Sequence, residues 1–336
     1  MIISRTPFRI SFFGGGTDYP AWYATNGGGA VLSTTIDKYC YVSCRYFPPF
    51  FDHKSRIVWS KIETVHDLDE IEHPAVRGIL KHLKVDEGIE ISHNADLPAR
   101  SGLGSSSSFV VGLLSALYAL KGQMFTKRQL ALDAIRMEQE ILKENVGSQD
   151  QTAAAFGGFN KIKFGGPETI QVQPITVSAT VREALQSHLM LFFTGFSRTA
   201  SEIAAEQIMN AHAKEKELKA MHGMVDEAIK ILNNGESDLR DFGKLLHESW
   251  TLKRGLSSKI TNGNIDEIYE AARAGGALGG KLLGAGGGGF MLIFAEPAAQ
   301  PIIREKLKKL LCVPFQFESL GNQIIYYAPP EKHYFS

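Results

Sequence analysis

Two α+β domains are what this sequence predicts, and three observations carry that expectation. Segments of strand period and helix period are mixed along the chain without a regular β-α-β-α alternation, which argues against a doubly wound sheet. The texture changes near residue 185, from strand-rich to mostly helical. The chain has 336 residues with 44% apolar content, more than one core normally needs. We place the domains at 1–185 and 186–336, with the boundary in 180–187.

Taken in order, 7-PFRISFF-13 alternates and reads as a strand, followed by a glycine-rich turn. The β-branched and aromatic run 30–47 predicts two strands or one long bent strand. Residues 57–62 (IVWSKI) read as another strand. Residues 74–84 have helical spacing with Pro74 suited to the first helical position. Residues 88–98 alternate again, and 105–120 read as a buried helix. Residues 126–145 predict an amphipathic helix capped by Thr126. A short helix, a glycine break and a strand follow over 150–160. Beyond the change of texture, 188–194 is a strand, 199–233, 238–256 and 264–273 are helical, 290–294 is an apolar strand, 300–311 a basic helix and 323–327 a last strand.

Composition excludes several roles. Lys plus Arg and Asp plus Glu are 36 each, so no basic excess points to nucleic acid and no polybasic run to an anionic membrane. Cys40, Cys44 and Cys312 are too few and scattered for a disulfide framework and lack a second Cys/His pair for zinc; free thiols in a reducing compartment are expected. MIISRTPFRISFF lacks the charged start and small-residue cleavage site of a signal peptide. No apolar run reaches the roughly 18 residues of a membrane helix. The expectation is a soluble cytoplasmic protein.

The chemistry is concentrated in glycine clusters. In 97-LPARSGLGSSSS-108, Gly102 and Gly104 allow a tight turn with positive φ directly before a helix. The first N–H groups of that helix lack partners and lie at the positive end of its dipole, and the serines add hydroxyls. A phosphate is the natural guest. No lysine follows Gly104, so this is not a Walker A loop, and protein-kinase signatures are absent. A flexible connection that merely caps a helix is the plain alternative.

The segment 98-PARSGLGSSSS-108 resembles the P-x-x-x-G-L-G-S-S-A-A signature of the GHMP kinases, the superfamily of galactokinase, homoserine kinase, mevalonate kinase and phosphomevalonate kinase. The stretch 7-PFRISFFGGGTDYP-20 resembles that family's first motif, and 281-KLLGAGGGG-289 its third. The three motifs occur in the family's order over residues 5–290. The resemblance implies an N-terminal domain like ribosomal protein S5 domain 2, a ferredoxin-like C-terminal domain, and ATP with Mg2+ as cofactors. It places ATP on Pro98, Ser101, Gly102, Leu103, Gly104, Ser105, Ser106 and Ser107, and the magnesium on Ser106 and Glu138. Two hard oxygens beside phosphate and retained waters are an adequate magnesium set. Asp150, in a segment similar to the galactokinase G-x-x-D-Q, takes the catalytic role, with Arg9 beside it. A carboxylate there orients or deprotonates a hydroxyl, and a guanidinium beside it stabilises transferred charge.

Asp18 and Tyr19 match the T-D-Y of sugar-binding members, which implies a sugar acceptor contacted by Gly15, Gly16, Thr17, Asp18 and Tyr19. Galactokinases read G-E-H-T-D-Y where this chain reads 14-GGGTDY-19, which puts galactose in doubt. With 148-SQDQ-151 and 252-LKRGLS-257, the chain most resembles the D-glycero-D-manno-heptose 7-phosphate kinases, and is also similar to fucokinase domains. That resemblance implies transfer of the ATP γ-phosphate to the anomeric hydroxyl of the heptose 7-phosphate. It adds Arg198, Lys253 and Arg254 as cations for the sugar's own phosphate, and Gly286 and Gly287 as loop contacts. His93, Asn94 and Asp96, just ahead of the loop, are further residues that could shape the site. The expected partners are the sugar phosphate and ATP, with no nucleic acid or membrane, in a monomer or homodimer. Other readings are a kinase of L-fucose or galactose, and a non-catalytic ligand sensor; the intact set Arg9, Ser106, Glu138 and Asp150 argues against the last.

Overall fold

A computed structural model describes residues 1–165, 170–196, 200–234 and 238–328. The first sheet is built around one very long strand. β1 (Ile2–Phe13) runs antiparallel along β2 (Gly29–Tyr46), an 18-residue strand of β-branched and aromatic residues. Its length lets β2 take several partners on its far side, among them β5 (Ile89–Ala95) along Cys40–Tyr46 and β6 (Phe159–Phe164) along Gly29–Thr34. Cys40 and Cys44 are buried free thiols on this strand. The expected strand 57–62 is instead a hairpin, β3 (Ser55–Val58) and β4 (Ile62–Val65), because the chain reverses at Trp59–Lys61. β7 (Ile170–Pro174) pairs with β6.

Helices cover this sheet. α1 (Pro20–Tyr23) is a single turn. α2 (Pro74–His82) starts with Pro74 at its first turn. α3 (Ser105–Leu120) is apolar nearly all round and packs on β1 and β2. Thr126 caps α4 (Lys127–Arg136) by accepting from the Gln129 N–H at 3.1 Å. That helix does not run to 145. It passes into a π-helical turn over Met137–Ile141 that turns Glu138 inward, a device common at functional sites. α5 (Gln149–Phe156) follows.

After α6 (Ala179–Ser187), β8 (Leu189–Gly195) opens the second sheet. α7 (Ala200–Asn210), α8 (Glu215–Asn233), α9 (Arg240–Arg254) and α10 (Gly263–Ala274) come next, the expected helix 199–233 being broken by a turn over 211–214. β9 (Gly279–Leu282), β10 (Gly289–Phe294), α11 (Gln300–Lys306) and β11 (Leu311–Cys312) complete the unit. The basic helix expected over 300–311 therefore ends early. The antiparallel order β11-β8-β10-β9 places fourth, first, third and second strands side by side. With helices after the first and third strands, this is a ferredoxin-like arrangement.

One boundary does not separate the halves. β12 (Phe317–Glu318) pairs with β2, and β13 (Gln323–Tyr327) pairs with β1, so the end of the range 186–336 returns to the first sheet. The apolar side chains of the two halves also merge: Phe12 and Phe13 of β1 meet Phe242 of α9 edge-on at 5.6 and 5.1 Å. No helix among the described residues is long and apolar enough to cross a membrane.

Candidate active site

The 98–107 loop lies between β5 and α3 and is held from both halves. Gly104 is the N-cap of α3 in the left-handed conformation, φ 77°. A side chain there would also lie 3.3 Å from the Asp150 carboxylate, so only glycine lets the loop approach it. Gly102, φ 81°, faces the second glycine loop: a Cβ on it would be 2.3 Å from the Leu283 carbonyl. Ser101 is buried, its carbonyl accepts from the Phe290 N–H, and its hydroxyl donates to the Pro98 carbonyl. The 284–289 loop thus packs beneath the 98–107 loop.

Arg9 crosses the floor of this loop. Its Nε and Nη2 donate to the two oxygens of Asp150, both at 2.9 Å, and its Nη1 to the Gly102 carbonyl at 2.6 Å. Its backbone N–H donates to the Leu103 carbonyl. Arg9 is buried, whereas the Asp150 side chain keeps 25% exposure. A fixed, partly open carboxylate at the start of a helix is suited to orient a substrate hydroxyl or accept its proton.

Glu138 is fully buried beneath the serines. Its Oε1 accepts from Ser106 Oγ at 3.0 Å, its Oε2 from Ser107 Oγ at 2.7 Å and also from Gln151 Nε2. Burial pushes its carboxyl up to about 7, with the Asp150 charge adding to the rise and the three hydrogen bonds opposing it. A buried carboxylate with no cation bonded to it among the described residues calls for a positive partner. Ser106 Oγ and Glu138 fit Mg2+ as hard oxygens, the remaining positions falling to phosphate and water. Ser106 and Glu138 would hold such an ion against the loop, where it would supply neutralisation of phosphate charge. Ser105 has a different task, accepting from the Arg100 N–H at 3.2 Å.

Asp18 is close enough to Asp150 for the two charges to interact. It is 2% exposed, accepts from the Gly16 N–H at 3.0 Å, and is pushed up to about 6 by burial and then by the Asp150 charge. Tyr19 is half-buried; burial and then the charges of Asp18 and Asp150 raise its phenol above the ordinary value. Gly15 and Gly16 form the turn before Asp18 and are partly open.

Several expected contacts are placed otherwise. The Thr17 hydroxyl is consumed by the Gly14 and Ala30 carbonyls and the Ala30 N–H, so it pins the loop and does not face the cleft. The Gly287 N–H is taken by the Ile260 carbonyl, and Gly286 lies against the Ile260 backbone. Arg254 turns to Asp266 at 3.2 Å and over the Trp250 and Tyr269 rings, away from Lys253; successive helix residues point about 100° apart. Arg198 lies outside the described residues. Lys253 is buried and does reach the site: its Nζ donates to the Leu282 and Gly284 carbonyls at 2.9 and 2.6 Å. Burial and then the Arg9 charge lower it to about 7, while Asp18 opposes the shift. His93 packs on Phe109, and Asp96 accepts from the Tyr39 N–H.

Sequence reasoning missed Gln151, which clamps Glu138, and Lys281, which lies 3% exposed with its Nζ on the Phe12 carbonyl at 2.9 Å. The doublet Asp150-Gln151 was a usable signal for the first. Lys281 opens the third motif, but nothing in the sequence says that it is buried.

A glycine-serine loop on a helix N-terminus, a clamped Arg–Asp pair and a buried glutamate define the class: a phosphotransferase acting on small molecules. The comparisons agree. The GHMP kinases N terminal domain matches residues 71–158 and the GHMP kinases C terminal domain matches 229–311. D-glycero-alpha-D-manno-heptose 7-phosphate kinase of Campylobacter jejuni is 30% identical over 92% of this chain and 93% of its own. Galactokinase of Pyrococcus furiosus is 27% identical over 92% and 94%. The crystal structure of a D-glycero-D-manno-heptose 1-phosphate kinase from Bacteriodes thetaiotaomicron shares the fold, with TM-score 0.72 at 24% identity over 97% and 99%. The chain belongs to the GHMP kinase family. It is a sugar kinase of that family, with ATP as the phosphoryl donor.

Proposed function

We propose that this kinase transfers the ATP γ-phosphoryl group to the anomeric hydroxyl of D-glycero-D-manno-heptose 7-phosphate, giving the 1,7-bisphosphate. The observation that carries the reading is the shared reach of the Arg9–Asp150 pair: one end grips the phosphate loop at Gly102, and the other neighbours Asp18. The donor phosphates lie on 98–107 with magnesium on Ser106 and Glu138. The sugar lies between Asp18, Tyr19 and Asp150. Asp150 orients the anomeric hydroxyl and takes its proton as the hydroxyl oxygen bonds to the γ-phosphorus. The bond from that phosphorus to the bridging oxygen breaks, and ADP leaves. Arg9 offsets the charge on the moving group. Similarity to the Campylobacter jejuni heptose 7-phosphate kinase supports the heptose assignment.

A specific observation favours a second reading, an unphosphorylated sugar such as L-fucose or galactose. Lys253 is already engaged by two carbonyls and Arg254 by Asp266, so neither of these two expected cations is free for a distal phosphate. Magnesium-dependent ADP release with the heptose 7-phosphate, mannose 6-phosphate, L-fucose, galactose and mevalonate separates the readings. Preference for the heptose phosphate supports the first; preference for a neutral sugar overturns it and keeps the kinase.

A further inference from the structure

Beneath the catalytic pair lie two buried lysines, and neither is bonded to a carboxylate among the described residues. Lys253 comes from α9 and Lys281 from β9, both in the second half of the chain. Among the described residues Lys253 donates to the Leu282 and Gly284 carbonyls, at the base of the 284–289 loop. Lys281 donates to the Phe12 carbonyl, two residues before the 14–18 turn that carries Asp18. It is therefore a direct polar tie between the strand leading into the third glycine loop and the strand leading into the first. Breaking it frees both loops to shift relative to Arg9 and Asp150.

Charge sharpens the role. The groups facing the two amines are Arg9 from β1, Asp18 from the first loop, and each other. Asp150 lies beyond and its charge acts on Asp18 and on Glu138. Taking an ammonium out of water without a counter-ion favours the neutral amine. Burial, then the Lys253 and Arg9 charges, hold Lys281 well below the ordinary lysine range. The substrates of the proposed reaction change that balance, because a polyphosphate and a magnesium complex with net negative charge enter directly above. A nearby anion draws a proton onto a depressed amine.

We propose that Lys281 is a positioning residue of the phosphoryl-transfer site, and that Lys281 and Lys253 form a buried amine pair that takes up a proton as phosphate-bearing substrate enters the cleft. The proton comes from solvent and ends on an Nζ; no other bond is made. The inference rests on reading the cleft as a nucleotide-binding kinase site.

The test is calorimetric titration of the full chain with the magnesium complex of AMP-PNP, in buffers of differing ionisation enthalpy. The slope of the apparent binding enthalpy counts protons. At about pH 8.5, Asp18, Glu138 and the nucleotide's phosphates have already lost their protons, so the uptake that the lysine substitutions remove reports the two amines. The expected result is uptake of a large part of one proton by the wild type, reduced in both Lys281→Met and Lys253→Met. Lys281→Met also lowers kcat by about 10-fold or more with little change in KM for ATP, as expected for lost alignment. Nucleotide binding without uptake by the wild type overturns the amine pair whether or not the variants fold. Uptake that is unchanged in two folded variants overturns it as well. Failure of the nucleotide to bind at all sinks the kinase reading itself, a different result.

Discussion

Arg9 holds Asp150 by two hydrogen bonds of 2.9 Å and spends its remaining nitrogen on the Gly102 carbonyl, at 2.6 Å. One side chain therefore sets the carboxylate and the phosphate loop in a single geometry. If Asp150 orients and deprotonates the acceptor, Asp150→Asn lowers kcat by about 10²-fold or more while nucleotide still binds. Rates of ADP release and a nucleotide titration on the same sample check it; full activity in this variant sinks the assignment.

Arg9→Lys keeps the charge but loses the fork that contacts both carboxylate oxygens and Gly102. We expect a fall in kcat of about 10²-fold and a lower melting temperature, since lysine cannot replace bidentate contacts. A variant with near-normal kcat would mean that charge alone suffices.

The Glu138 carboxyl stands at about 7 in the fold against 4.5 for an ordinary glutamate. The native state thus holds its proton where the unfolded chain has lost it, and stability falls as pH rises from about 4.5 to 7. The loss is on the order of 3 kcal/mol for this group, and magnesium with nucleotide should restore part of it. Thermal melts of metal-free protein at pH 5 and pH 8 should show a larger drop for the wild type than for Glu138→Gln. The same variant should need a higher magnesium concentration for nucleotide binding. Equal pH dependence in both proteins would remove the argument.

Arg254 and Lys253 are neighbours with different fates. Arg254→Ala loses a half-exposed pair with Asp266 and a stack on Trp250, worth about 1 kcal/mol or less, and should leave KM for the sugar unchanged. Lys253→Met should raise that KM. Steady-state kinetics on both variants decides, and a raised KM in Arg254→Ala would put that side chain back at the substrate.

Gly102→Ala must force a side chain to within 2.3 Å of the Leu283 carbonyl at a positive φ. Destabilisation of about 1–3 kcal/mol and weakened nucleotide binding are expected, read by denaturant unfolding and titration. Wild-type behaviour would mean that the two glycine loops are not packed as described.

Much of the candidate site is legible in the sequence. The loop 101-SGLGSSSS-108, the strand with Arg9 and the Asp150 segment are local patterns, and glycine, serine and helix-cap chemistry depend on near neighbours. The long strand β2 and the buried helix α3 were legible for the same reason, because strand period and apolar runs are written within each segment. The π-turn at Glu138 was not, since it deforms a helix of ordinary spacing to satisfy two serines some thirty residues earlier. Nor was the return of β12 and β13 to the first sheet, a pairing across nearly the whole chain. The sequence by itself determined which residue types stand in the glycine-serine loop, at the Arg9–Asp150 pair and at Glu138. Only the tertiary structure decided which charges are buried and what they face: Lys253 against carbonyls, Arg254 against Asp266, Lys281 under Phe12. The physical reason is that desolvation and Coulomb interaction depend on what surrounds a side chain in space, and its neighbours in sequence do not specify that.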